Sequence, residues 1–220
     1  MDLRRQRLHD ARLYLVCDIR EDALITAALR GGADIVQLRD KQADEAALVA
    51  AGRRYAALCA DHGALFILND RPDLVAATGA DGVHVGQDDC PVTAARETVG
   101  ADRLIGLSTH TAEQIAAAGR SDVDYIGVGP VHATPTKLGR PAVGTALVRE
   151  AVSHATHPFF AIGGLDLTTV GAVRDAGAHR IAVVRAITDA VDPEAAAREL
   201  RAAISAAPVA GSLEGDGARA

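Results

Sequence analysis

Gly32-Ala33-Asp34-Ile35-Val36-Gln37-Leu38-Arg39-Asp40-Lys41 holds one complete passage from helix to strand, with a polar cluster directly behind it. Gly32 closes an Ala-rich amphipathic segment, because glycine accepts the left-handed conformation that ends a helix. Residues 35–39 then read as a short buried strand. The same grammar returns at Gly79-Ala80-Asp81 ahead of residues 82–86, and at Gly177-Ala178-His179 ahead of residues 180–184. Working outward, β-type runs at 13–16, 65–69, 104–108, 125–129 and 159–163 bring the candidate strands to eight. Strands alternating with helices call for a parallel sheet. Eight repeats in a chain of 220 residues predict an α/β fold, a single-domain (β/α)8 TIM barrel rather than an open sheet.

The helix signals agree. Thr111 with Gln114 has capping-box spacing, and Asp192 before Pro193 sets an N-cap beside a proline at the first helical position. Leu48, Ala51, Tyr55, Leu58 and Cys59 recur on one face of residues 43–61, which therefore faces the core. A hydrophobic content of 49% fills one sizeable domain, expected over residues 1–207. Residues 208–220 are small, polar and aperiodic, and are expected to form a disordered tail. A formal net charge of −6 argues against nucleic-acid or anionic-membrane partners and leaves small molecules. Cys17, Cys59 and Cys90 have no metal-type spacing and are expected to be buried free thiols in a reducing compartment. Basic Arg4, Arg5 and Arg7 precede no apolar run, and no segment is apolar enough to span a bilayer, so the cytoplasm is expected. Oligomeric state is not legible.

Chemistry-bearing residues gather where such a barrel keeps its active face, at the C-terminal ends of strands. Period-two geometry turns Val36 and Leu38 outward and Gln37 and Arg39 into the mouth, where a buried arginine needs an anion. Gly129-Pro130-Val131-His132-Ala133-Thr134-Pro135-Thr136-Lys137 adds two hydroxyls and an ammonium suited to phosphate oxygens, with Gly127 and Gly129 leaving room for a ligand. Asp70 and Asp89 follow neighbouring strands and could converge on magnesium, which takes one or two carboxylates and leaves other positions to water and phosphate. Alternatively, Asp70 caps the turn at Pro72 and Asp89 belongs to the turn before Pro91. Ser108 reads as an anion binder or a plain cap, since no base is expected to face it. Ala161-Ile162-Gly163-Gly164 and Val183-Val184-Arg185 would lie side by side as a phosphate site. His84 is expected to orient its neighbours from inside the barrel. His110 and His132 carry no assignment.

These stretches, with Asn69-Asp70, His84-Val85-Gly86-Gln87-Asp88-Asp89 and Gly106-Leu107-Ser108, resemble the thiamine-phosphate synthase family over nearly all of the chain before the tail. The resemblance implies condensation of a pyrimidine diphosphate with a thiazole phosphate, releasing pyrophosphate. It implies that the run Gln37, Leu38, Arg39, Asp40, Lys41, together with Asn69, Ser108 and Lys137, holds the diphosphate substrate, with Arg39, Lys41, Ser108 and Lys137 assisting its departure. Asp70 and Asp89 would hold Mg2+. Thr134, Pro135, Thr136, Gly164, Val184 and Arg185 would receive the thiazole phosphate, and the loop 133–144 would close as a lid. The family pattern frequently has serine where this chain has Arg185, which could grip the phosphate or turn toward Asp189. A thiazole tautomerase on the same barrel, and a non-catalytic phosphate sensor, are the competing readings.

Overall fold

Strands that are apolar on both faces need cover on both sides, which a sheet obtains by closing on itself and wrapping itself in helices. A computed structural model describes residues 2–133 and 141–206 of the chain. Its strands are β1 (Leu13–Cys17), β2 (Ile35–Leu38), β3 (Leu65–Asn69), β4 (Gly82–Val85), β5 (Leu104–Thr109), β6 (Tyr125–Val128), β7 (Phe159–Ile162) and β8 (Ile181–Val183). Each pairs in parallel with the next, and β8 returns to β1. The closed (β/α)8 barrel expected from the sequence is formed. Its strand limits move slightly: Arg39, Gly86, Gly129 and Gly163 fall just past their strands, because the neighbouring ladders end there.

Around the barrel run α1 (Leu3–Asp10), α2 (Asp22–Arg30), α3 (Glu45–Asp61), α4 (Val75–Thr78) and α5 (Val92–Val99). They continue with α6 (Ala112–Ala118), α7 (Gly144–His154), α8 (Val170–Asp175), α9 (Arg185–Thr188) and α10 (Pro193–Ser205). The core-facing stripe of α3 is Leu48, Ala51, Tyr55 and Cys59, with Leu58 only partly covered. Asp192 caps α10 by accepting from Ala195 N at 3.0 Å. Thr111 accepts from Gln114 N, while the Gln114 side chain reaches one residue further back to His110 N. Gly32, Gly79 and Gly177 all have positive φ, as their helix-ending positions require.

Two apolar cores result. Leu13, Leu15, Val36, Leu38, Phe66, Val83 and Ile105 pack outward beneath the helices. Tyr14, Ile35, Leu65, Ile67, Leu104, Tyr125, Phe160 and Ala182 fill the barrel itself. At the N-terminal end, aspartates stand just before β2, β4 and β6 and accept from the backbone of the preceding strand: Asp34 from Leu13 N, Asp81 from Phe66 N, Asp124 from Ile105 N. Helix α1 closes this end, with Leu8 buried, Arg4 on Asp81 at 2.8 Å and Arg5 on Asp124 at 2.9 Å.

Cys17 and Cys59 are buried free thiols, and burial pushes Cys17 up to about 12. Cys90 corrects the expectation, being only half-buried in the loop after β4. The expected tail at 208–220 lies outside the described residues, as does the 134–140 part of the expected lid.

Candidate active site

Residues that point inward at the strand ends cannot fill the widening mouth of the barrel, and a cavity of about 500 Å³ remains there. Gln37 and Arg39 reach it from the end of β2, Asn69 from β3, Ser108 from β5, Gly164 from the β7 loop, and Val184 and Arg185 from the β8 loop. Seven of the residues expected at a site thus share one cavity. The β7 and β8 loops do lie side by side, because β7 pairs with β8.

Arg39 and Arg185 are the cationic side chains of this lining, and among the described residues no carboxylate pairs with either. Arg185 does not turn to Asp189, whose Oδ1 instead accepts from Thr188 Oγ1 at 2.9 Å. Both arginines also border a smaller pocket next door, with Arg20, Asp18 and Asp189.

Asp70 directly follows Asn69 and is, among the described residues, the non-glycine with positive φ, at 59°. Such a conformation costs about 1–3 kcal/mol and is most often tolerated by Asn and Asp. Lys41 Nζ lies 3.2 Å from Asp70 Oδ2. Burial, and then repulsion from the facing Asp89 carboxylate, hold the Asp70 carboxyl above its ordinary range, with Lys41 opposing. Asp89 sits in the turn past β4, where its Oδ2 accepts from Gly86 N at 2.9 Å. A Cβ on Gly86 would lie 2.4 Å from that oxygen, so glycine is what admits the carboxylate. Asp70 caps nothing, the 3-10 turn at Pro72–Leu74 beginning after Arg71 without a side-chain cap. Asp89 closes its turn and faces Asp70 at once.

Three expectations are corrected. Leu38 is fully buried in the outer core and does not reach the cavity, as its outward position in β2 dictates. Asp40 turns away to order its own loop, accepting from Ile19 N, Gln42 N and Ala43 N, which draw its carboxyl below the ordinary range against a desolvation that acts to raise it. Ser108 does face a base: His84 Nε2 is 2.9 Å from its Oγ. A phenol occupies the orienting position, Tyr125 Oη lying 3.2 Å from His84 Nδ1, where a Ser-His-Asp arrangement would place a carboxylate. Gly127 and Gly129 line the cavity as expected, and Gly129 is also demanded by packing, since a Cβ there would lie 2.0 Å from Ile162 O. His84 orients its neighbours as expected. His110, unassigned from sequence, lines the cavity and bonds Gly129 O through Nδ1. Thr134, Pro135, Thr136 and Lys137 lie outside the described residues; Ala133, just before them, borders the cavity.

The floor was not foreseen. Tyr14, Tyr125 and Phe160 line the cavity from below, and only the period-two alternation of β1, β6 and β7 could have pointed to them.

Fold and site together define a TIM-barrel protein with a cation-lined cavity at the C-terminal mouth of its strands. The chain belongs to the thiamine monophosphate synthase family, whose model matches residues 13–187. The thiamine-phosphate synthase of Thermobifida fusca is 50% identical over 213 residues, which cover 94% of this chain and 98% of that protein. That of Thermosynechococcus vestitus is 47% identical over 202 residues, 91% of this chain. The chain spans only 58% of the length of that relative. Among solved structures, thiamine phosphate pyrophosphorylase from Pyrococcus furiosus has a TM-score of 0.82 at 31% identity, covering 91% of this chain and 96% of that one.

Proposed function

We propose that this chain condenses 4-amino-2-methyl-5-(diphosphooxymethyl)pyrimidine with 4-methyl-5-(2-phosphooxyethyl)thiazole to give thiamine phosphate and pyrophosphate, or with its 2-carboxy form to give the same products and carbon dioxide. The observation that carries the reading is that Arg39 and Arg185 line the cavity and that, among the described residues, neither pairs with a carboxylate, in a protein whose net charge is −6. Cations on a cavity wall that no carboxylate engages suit anionic ligands. Two of them, at the β2 and β8 sides, suit two phosphorylated substrates.

Asp70 and Asp89 fit magnesium. They offer hard oxygen donors, their mutual repulsion asks for a cation, and among the described residues no cluster of three metal-binding side chains competes. When bound, magnesium neutralises charge on phosphate oxygens. Arg39 and Lys41 take the same role from the protein side, joined in this reading by Lys137 and the Ser108 hydroxyl. An electron-rich aminopyrimidine expels pyrophosphate to leave a stabilised methylene cation, which the thiazole nitrogen attacks. No protein base is needed; the requirement is to hold the reacting atoms about 3–3.5 Å apart. Gly164, Val184 and Arg185 fix the thiazole phosphate with Thr134 and Thr136, and the aromatic floor excludes water. No helix among the described residues is long and apolar enough to cross a membrane, and three free thiols suit the cytoplasm as the proposed location.

Mass analysis of incubations with magnesium tests the reading. Thiamine phosphate is expected only where both substrates are present. An isomerised thiazole phosphate formed without the pyrimidine would identify a tautomerase, and tight thiazole-phosphate binding without any product would identify a sensor.

A further inference from the structure

Within His84-Val85-Gly86-Gln87-Asp88-Asp89, the function proposed above gives Gln87 no part. The ladder between β4 and β5 ends with Val85 opposite Leu107. Strand β4 stops there, while β5 runs on beside β6, with Ser108 opposite Gly127 and Thr109 opposite Val128. Past the end of β4 the chain folds into the turn over residues 86–89, and a side chain takes up the contact between the two strands: Gln87 Nε2 donates to Ser108 O at 2.7 Å. A carbonyl oxygen only accepts, so this partner decides which way round the Gln87 amide lies.

The turn tied in this way carries Asp89. Two bonds close it on itself, Gly86 N donating to Asp89 Oδ2 at 2.9 Å and Asp89 N to Gly86 O at 3.4 Å. They set the shape of the turn, not its place on the barrel. Asp70, across from it, is held through its backbone, since Asp70 N donates to His84 O at 2.9 Å. The two carboxylates face each other and repel. Lys41 Nζ, 3.2 Å from Asp70 Oδ2, offsets part of that repulsion. What remains of it favours a turn that moves away from Asp70, and a sideways bond from the residue two before Asp89 resists that movement. The same bond ends on Ser108, so the turn that carries one carboxylate is joined to the strand end whose hydroxyl the function above gives to the diphosphate.

We propose that Gln87 is a positioning residue for the magnesium site: its amide holds the 86–89 turn against β5, so that Asp89 stands opposite Asp70 before the ion arrives. A site held ready binds more tightly, because less ordering remains to be done on binding. The inference rests on the magnesium assignment made above.

Gln87→Met tests it, since the side chain keeps its length and loses its donor. Mn2+ serves as the probe, because it takes the same oxygen donors as magnesium and its free concentration is read by electron paramagnetic resonance. Titrated without substrates, the variant is expected to show a Mn2+ Kd raised about threefold or more, the scale of one hydrogen bond. The melting temperature of the metal-free protein should stay within a few degrees of the parent. Turnover should need correspondingly more magnesium and reach a kcat within about twofold of the parent once magnesium saturates, because the bound ion draws the turn back into place. Gln87→Ala removes the same donor and carries the test should the first variant not fold. A smaller change in Mn2+ Kd, a lowered melting temperature with Mn2+ affinity unchanged, or a loss of kcat that saturating magnesium does not restore overturns the inference. A parent that binds Mn2+ while both variants bind it equally well overturns this inference alone. A parent that takes up no Mn2+ overturns the magnesium assignment beneath it as well.

Discussion

Asp89 carries two duties that a single substitution separates. Its oxygen closes a turn onto Gly86 N, and its charge faces Asp70. Asn keeps an oxygen for the turn and loses the charge, so Asp89→Asn should lower turnover by about a hundredfold or more while the melting temperature stays within a few degrees. Steady-state kinetics across a magnesium titration, beside a thermal melt, checks this; near-parent turnover at limiting magnesium would remove Asp89 from the metal site. Arg185 differs in kind. Facing the cavity without Asp189, it is free for a phosphate, a charge-assisted contact worth about 1.5–3 kcal/mol. Arg185→Ser should therefore raise KM for the thiazole phosphate about tenfold or more and leave that for the pyrimidine diphosphate unchanged, and a thiazole KM within about twofold would show that it grips no phosphate. Much at this scale was legible, since polar residues just past buried apolar runs have nowhere to point but the mouth. Leu38 and Asp40 were drawn in by contiguity alone, though period two already turned Leu38 outward. The pairing of Tyr14 with Tyr125 was not legible, because they are 111 residues apart and only closure of the barrel brings them together.

Strands were the most readable elements, because a strand buried on both faces is written as an unbroken apolar run. Helix α1 was missed for the opposite reason. Its sequence is mostly charged, and what fixes it is tertiary: Leu8 under the barrel, and arginines reaching aspartates 77 and 119 residues away. Short α4 and α9 carry too few residues to display a period. The aspartates that receive those arginines are the clearest structural test of the element-level account. Asp124 accepts from Ile105 N and pairs with both Arg5 and Arg96, at 2.9 and 2.8 Å, with its side chain only 9% exposed. Removing it leaves the Ile105 N–H without its acceptor and takes one carboxylate from each of two arginines that keep Asp2 and Asp122, so Asp124→Ala should destabilise the fold by about 2 kcal/mol in a denaturant melt. A loss under about 0.5 kcal/mol, the scale of an exposed pair, would show that the closure of the barrel floor does not depend on it.

For the whole molecule, the division of labour follows from strand direction. All eight strands run the same way, so one end of the barrel gathers the paired charges that hold it shut and the other gathers charges left for ligands. The first end has Asp34, Asp81 and Asp124 matched by arginines; the second has Arg39 and Arg185, which no carboxylate pairs among the described residues, and Asp70 facing Asp89. The central claim is that the second end brings two phosphorylated substrates together for one displacement. Initial rates of pyrophosphate release, measured with magnesium while each substrate is omitted in turn, test it most directly. The account predicts release only with both substrates present, in one-to-one proportion with thiamine phosphate. Steady turnover of either substrate alone, or no release with both bound, would contradict it.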